Sequence, residues 1–250
     1  MSETAMLELA AAQRTEGRFY TGMAIAAICI AIAGFGPAAI DTDVRKGPLT
    51  LTIGLHGAVF SVWFLLFLTQ TILVPKGRVA VHRRLGYAGV VFAILMVISG
   101  YTTAIAMARR GYDLSGDLVA TVDDALTILV FQLGDLVSFS LLVGFAVYYR
   151  CRPETHKRLM LLATVGALMP AALAHIIGHS PFLREIKGPI ILIPLAALLL
   201  AGAVHDRLSQ GRIHPVSLWV AVGLFIWANL RAALIGPSDA WHKFAAWLIG

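Results

Sequence analysis

The apolar residues of this chain arrive in seven blocks separated by short polar joints, at roughly 20–40, 52–75, 86–108, 125–149, 158–179, 188–205 and 216–236. A hydrocarbon core ~30 Å thick needs about 20 apolar residues per helix and offers no partner to an unpaired peptide group. Blocks of that length therefore predict an all-α, polytopic membrane protein with seven transmembrane helices. A chain that is 58% hydrophobic and 14% charged, with a mean hydropathy of +0.80, agrees. Residues 1–250 read as one transmembrane domain with a leader over 1–19 and a tail over 237–250.

The first block is too long for the apolar region of a cleavable signal peptide and sits behind a polar leader, so it is expected to stay in the mature protein. The leader itself reads as a short interfacial helix or a loose segment. In the tail, Trp241 and Trp247 beside Lys243 suit a helix lying in the headgroup region.

Net charge is +6, but the place of each charge matters more than the sum. The leader and the joints before spans three, five and seven hold Arg14, Arg18, Lys76, Arg78, Arg83, Arg84, Arg150, Arg152, Lys157, Arg158, Arg207 and Arg212, twelve of the twenty basic residues. The opposite joints hold Arg45, Lys46, Arg109, Arg110, Arg184 and Lys187, with the acids Asp41, Asp43, Asp113, Asp117, Asp123 and Asp124. The positive-inside rule then predicts a cytoplasmic N-terminus and an outside C-terminus, in a bacterial inner membrane the periplasm. Charges in short loops against a lipid surface argue against nucleic acid as a partner. Cys29 in span one and Cys151 in a basic joint make neither a disulfide nor a metal motif.

Two stretches are nearly alike, HRRLG at 82–86 and HKRLM at 156–160, each opening an apolar run. Laying GAVFSVWFLLF (57–67) over GDLVSFSLLVG (134–144) matches Gly57 with Gly134, Ser61 with Ser138 and Leu65 with Leu142. With a loop three residues shorter in the second copy, His82 then meets His156 and Arg84 meets Arg158. This predicts a duplicated two-helix unit, 52–108 and 125–179, forming a four-helix bundle, with the spans of 188–236 and span one around it. The repeated bases are accounted for by orientation and anchoring, and His82 and His156 remain open as a second, inner ligand pair.

Ionisable groups inside spans are costly unless paired, and so mark candidate sites. The topology puts His56 (span two), Gln132 and Asp135 (span four), His175 (span five) and Arg231 (span seven) at similar depth in the outer leaflet, with His179 and Tyr101 at the rim. Asp135 is too short to reach water and must be neutral or paired with Arg231 or a histidine. His175 and His179 share a helical face at a spacing that metal ligands use. Pro170 predicts a bend just before them, and tolerated packing explains the same proline.

Two neutral imidazoles at equal depth on facing helices can ligate a haem iron, which makes His56 and His175 the expected axial pair of a b-type haem. Arg231 would face the propionates, and Asp135 or Gln132 would act behind them. The function expected from this is electron transfer, with a quinone or another membrane subunit as partner. The segment LHGAVFSVWFLLFLTQTILVPKGRVAVHRRLGYAG, with HKRLMLLAT further on, resembles a group of uncharacterised bacterial multi-pass membrane proteins over roughly 50–180. The histidine-bearing bundle is more loosely similar to the membrane cytochrome b superfamily of ferric reductases and ascorbate-reducible cytochromes, which implies haem and electron transfer. Di-haem members of that superfamily carry two histidines on one helix, one for each leaflet. Here the residue 14 beyond His56 is Gln70 and the residue 13 before His175 is Leu162, so one haem is the expectation and a second would have to use His82 and His156.

Two other classes stay open. A proton-coupled transporter would use Asp135 and Arg231 without a cofactor. A structural subunit of a larger complex would use the small-residue runs AIAAICIAIAG (24–34) and ALMPAALA (167–174) for close helix contacts. A retinal protein is disfavoured because span seven holds no lysine, and no nucleophile elbow, phosphate loop or zinc-protease motif is present.

Overall fold

The computed structural model describes residues 3–122, 124–186 and 190–250, and the side chains of all of these except 3–13, 119–121 and 184. Asp123, Lys187, the Arg184 side chain and the start of the sixth predicted span at 188 lie outside what is described. Among the described residues seven helical segments are long and apolar enough to cross a membrane: Arg14–Ile40, Leu51–Leu73, Val79–Arg110, Ala125–Tyr148, Pro153–His179, Leu192–Gln210 and Val216–Ile235. The protein is an all-helical, multi-pass membrane protein.

The ends of these helices follow local chemistry. No proline interrupts residues 3–36, so α1 (Glu3–Ile40) runs unbroken and the leader becomes the first turns of span one rather than a separate element. Past Pro37 the helix stops, and the Arg45 guanidinium folds back to donate to the Ala38 and Ala39 carbonyls, each at 2.6 Å. Thr50 caps α2 (Leu51–Leu73) by accepting from the Ile53 amide at 3.4 Å. The third helix, α3 (Val79–Arg110), begins seven residues earlier than its apolar run and so takes His82 and its arginines into its first turns. It ends at Gly111, whose φ of +82° is the left-handed cap that favours glycine. A short α4 (Asp117–Val122) precedes α5 (Ala125–Tyr148), which Asp124 caps through the Leu126 and Thr127 amides.

Span five is two helices, α6 (Pro153–Val165) and α7 (Met169–His179), and the break falls at 166–168 with Pro170 in the first turn of α7. The bend expected at the proline is thus an interruption just before it, where a ring lacking an N–H does least harm. A Cβ on Gly166 would come within 2.6 Å of the Leu162 carbonyl and 2.7 Å of Leu224. A short α8 (Pro181–Glu185) leads towards α9 (Leu192–Gln210). Span seven is α10 (Ala221–Leu230) between two π-helical turns, Val216–Val220 and Arg231–Ile235, and α11 (Asp239–Ile249) is the amphipathic tail.

Span five is the pillar: 67% of its apolar window is buried, against 17% for span two, whose outer face is left for lipid. Around it Trp63 of α2, Met96 of α3, Phe139 of α5 and Leu199 of α9 fill one core with Leu162, Val165 and Met169. Trp63 sets its edge on Phe139 at 5.0 Å and donates its indole N–H to the Thr164 hydroxyl at 3.4 Å, so the polar atom that an apolar core would strand is satisfied. Ser61 and Ser138 donate to the Gly57 and Gly134 carbonyls, 2.8 Å in both segments.

The small-residue runs meet each other inside the chain. A Cβ on Gly34 of α1 would lie 2.9 Å from the Ala172 Cα of α7, and Ala24, Ala27, Ala167 and Ala172 are buried. Helix contact of that closeness needs residues without bulk. The feature that suited docking to another subunit is therefore occupied by the protein's own packing.

The bundle has two unlike ends. The described residues of joints 41–50, 111–122 and 180–186, with Asp124, form an acidic end, on which α11 also lies. Joints 74–78, 149–152 and 211–215 form a basic end.

Candidate metal centre and neighbouring polar sites

At the acidic end α7 presents His175 and His179 one turn apart, and the segment leading into α4 folds Asp113, Ser115 and Asp117 over them. One donor atom from each of Asp113, Asp117 and His175 lies within 4.8 Å of the other two. The His175 Nδ1 stands 3.3 Å from an Asp117 carboxylate oxygen and 4.0 Å from one of Asp113, and the His179 Nε2 stands 3.1 Å from the same Asp117 oxygen. Asp113 is 2% exposed, and its oxygens accept from the Gly116 amide at 3.0 Å and the Leu118 amide at 3.2 Å, which fixes the carboxylate before any ligand arrives. Two close approaches set the geometry: a Cβ on Gly178 would sit 2.5 Å from the Asp117 Cβ, and Phe35 of α1 puts its edge on the His175 ring at 5.0 Å.

The Ser115 hydroxyl lies 2.8 Å from an Asp113 oxygen and 2.6 Å from an Asp117 oxygen, yet has one proton to give. The hydroxyl can serve only one of the two at a time, and other donors are the Gly116 and Leu118 amides at Asp113 and the His175 and His179 imidazoles at Asp117. Burial pushes the Asp117 carboxyl up, but hydrogen bonds from His175 and Ser115 and the nearby imidazoles outweigh this and hold it below the usual carboxylate range.

The residues that the sequence groups into one outer-leaflet site divide in the structure. Asp135 and Arg231 do meet, at 2.7 Å, with Arg231 3% exposed and also donating to the Phe131 carbonyl at 2.7 Å. Its guanidinium lies over Trp227 at 5.3 Å, in the π-helical turn that closes span seven. Gln132 points instead to the Met107 sulfur at 3.6 Å. His56 packs its ring on Phe60 at 4.2 Å beside the Ser99 backbone of α3, and its Nδ1 is buried without a hydrogen-bond partner. Tyr101 lines an open cleft of about 670 Å³ with Arg109, Arg110 and Leu248. Among the described residues none of His56, Gln132, Tyr101, Asp135 and Arg231 hydrogen-bonds, ion-pairs or makes a ring contact with the Asp–His cluster, which holds His175 and His179.

At the basic end His82 and His156 face each other with ring centroids 6.3 Å apart. Arg158, by contrast, is drawn inward. It is 2% exposed, pairs with Asp206 of α9 (1% exposed), and its Nε also lies 3.1 Å from the Ser217 hydroxyl of span seven. Glu154 takes a third guanidinium contact at 2.6 Å, and Lys157 pairs with Glu16 of α1. The two cysteines are free.

Sequence reasoning missed Asp113, Asp117, Asp206 and His242 as structured groups. The last holds an Asp124 carboxylate oxygen at 2.8 Å and ties α11 to the start of α5, with the Trp241 indole donating to the Leu126 carbonyl at 2.7 Å. Comparison of the chain with protein-family models, with curated proteins and with solved structures finds no match.

Proposed function

We infer that this is an integral membrane metalloprotein, holding one divalent transition-metal ion at the acidic end through His175, Asp117 and Asp113, with His179 as fourth donor. The convergence of one donor atom each from Asp113, Asp117 and His175 within 4.8 Å carries the reading, and the His179 Nε2 stands 3.1 Å from the Asp117 oxygen. Donors about 2.0–2.2 Å from one tetrahedral zinc-like ion stand roughly 3.4 Å apart; His175 and Asp117 at 3.3 Å already suit it, and the Asp113 oxygen, 4.0 Å from the His175 Nδ1, would have to close in. Mixed imidazole and carboxylate donors select zinc, manganese, iron or nickel over calcium or magnesium, which prefer oxygen alone. When bound, such an ion supplies Lewis acidity at the membrane face. The chain's own part is to hold the donors: two backbone amides fix Asp113, Gly178 admits Asp117, and Phe35 covers His175.

The lipid bilayer is the partner this reading requires. The gathering of twelve of the twenty basic residues in the leader and at or beside the basic joints supports a cytoplasmic N-terminus; in a bacterial inner membrane the metal centre would then lie on the periplasmic side.

A second reading retains a b-type haem on His175. A carboxylate at 3.3 Å from Nδ1 is the kind of partner that orients a metal-ligating histidine. Nε2 would then face the iron, with His56 as the other axial ligand and electron transfer to a quinone or a partner subunit as the function. The metal centre uses the Nδ1 of His175 as donor, whereas this reading uses Nδ1–H to bond the carboxylate, so the two exclude each other.

Elemental analysis and equilibrium dialysis of the detergent-purified protein separate them. About one zinc or manganese per chain, lost on His175→Ala and on Asp117→Asn, supports the metal centre. No uptake, or uptake unchanged in both variants, overturns it. A Soret band with sharp reduced α and β bands, lost on His56→Ala and on His175→Ala, establishes the haem instead.

A further inference from the structure

The basic end carries a second pair of imidazoles that neither the Asp–His cluster nor the buried ion pairs employ. His82 lies in the first turn of α3 and His156 in the first turn of α6, and their rings meet at 6.3 Å between centroids with planes at 84°. The His156 Nδ1 donates to the Ala146 carbonyl at 2.8 Å, so in the neutral ring the lone pair sits on Nε2. That backbone bond is the kind that fixes tautomer and ring direction in metal-ligating histidines. The His82 Nδ1 is buried with no hydrogen-bond partner, although the peptide carbonyl of the same residue is satisfied by Gln70 at 3.2 Å. One imidazole thus holds a lone pair ready, and the other buries a ring nitrogen that nothing in the described structure serves.

The separation suits one shared ion. Two imidazoles bound about 2.0–2.1 Å from a common metal put their centroids roughly 5–6.5 Å apart according to the angle at the metal, and the observed value lies at the near-linear end. Charge narrows the choice. Arg83 and Arg84 follow His82 directly, and Lys157 and Arg158 follow His156. The neighbouring carboxylate of Glu154 is engaged by Lys157 and Arg158, and that of Glu16 by Lys157. Among the described residues no carboxylate pairs with either ring, and while Lys157 and Arg158 are offset by Glu16, Glu154 and Asp206, Arg83 and Arg84 are not, so a dication would meet their charge with no carboxylate to ligate it.

We propose that His82 and His156 form a two-histidine site for a monovalent, imidazole-binding metal ion, with cuprous copper as the ion that fits. It is independent of the centre at the acidic end and shares no ligand with it. The arrangement also gives the doubled HRRLG and HKRLM segments a chemical use, because the matched histidines of the two stretches are the ones that meet.

The test is anaerobic competition of the full-length protein for cuprous ion against a coloured copper(I) chelator. One ion per chain is expected, bound equally well by His175→Ala. Binding should weaken more than about tenfold in His82→Asn and in His156→Asn. His82→Gln and His156→Gln, closer in size to the native ring, are compared in parallel with unfolding midpoints to separate ligand loss from misfolding. His82→Cys, which supplies a soft donor at the same place, should regain binding. No competition by the native protein, or equal uptake by all histidine variants, overturns the site. Zinc held at the same two residues as tightly as copper overturns the choice of a monovalent ion.

Discussion

Single charged residues in this protein are informative in proportion to how little water reaches them. Arg158 and Asp206 are almost fully enclosed, and each makes the other tolerable in an apolar surrounding. Asp206→Ala strands the guanidinium and is expected to cost about 3–5 kcal/mol. The double change Arg158→Met with Asp206→Leu should cost far less, and unfolding midpoints in detergent give the comparison. Asp135 was legible from sequence for the same reason, since a short carboxylate in an apolar run needs a partner, and Arg231 supplies it at 2.7 Å. Asp113 and Asp117 were not, because acids in a polar joint read as solvated charges. Only the fold reveals that Asp113 is buried and turned towards His175. Asp206 escaped notice because the expected span ended one residue before it, whereas α9 continues to Gln210.

Helices and their joints are where sequence patterning was most reliable, and its errors have causes. Span number and approximate limits follow from apolar length. The leader's fusion with span one and the early starts of α3 and α6 do not, because helix continues through polar residues until something stops it. The contact of α1 with α7 links packing to the Asp–His cluster, since Gly34 lies against Ala172 next to the Phe35–His175 contact. Gly34→Leu should force the helices apart, cost about 1–3 kcal/mol and weaken metal uptake, whereas Gly22→Leu, with open space around it, should do neither. Tail helix α11 is fastened in a pH-dependent way. Burial raises the Asp124 carboxyl, but hydrogen bonds from Thr127, His242 and the Leu126 amide prevail and hold it at about 2; the Ser238 carbonyl and Asp124 raise His242. The acid's contribution is present above its usual 3.8 and is lost as pH falls towards 2. The histidine's is full below its usual 6.5 and is lost as pH rises through its raised value. Amide exchange in α11 should therefore be slowest between about pH 4 and 6.5 once corrected for intrinsic rate. In His242→Ala the loss of protection towards alkaline pH should disappear.

For the molecule as a whole, the division between an acidic and a basic end joins orientation to chemistry. Cys151 is exposed in a basic joint, so in a Cys29→Ser background an impermeant maleimide should label it in inverted vesicles and not in intact cells. Labelling of intact cells would reverse the orientation and put the Asp–His cluster in the cytoplasm. The sequence made a shared outer-leaflet site of residues that the fold distributes between an ion pair, a packed histidine and the cluster. Depth along a helix can be counted from sequence, but the direction in which each helix turns a side chain depends on its neighbours. Whether His175, His179, Asp113 and Asp117 hold one transition-metal ion is read from the visible spectrum of the cobalt(II)-loaded protein. One cobalt per chain is expected, with the intense ligand-field absorption of a four-coordinate nitrogen and oxygen site, abolished in His175→Ala and unaffected in His82→Asn. A spectrum no different from free aqueous cobalt(II), or one that survives removal of His175, would contradict a metal centre there.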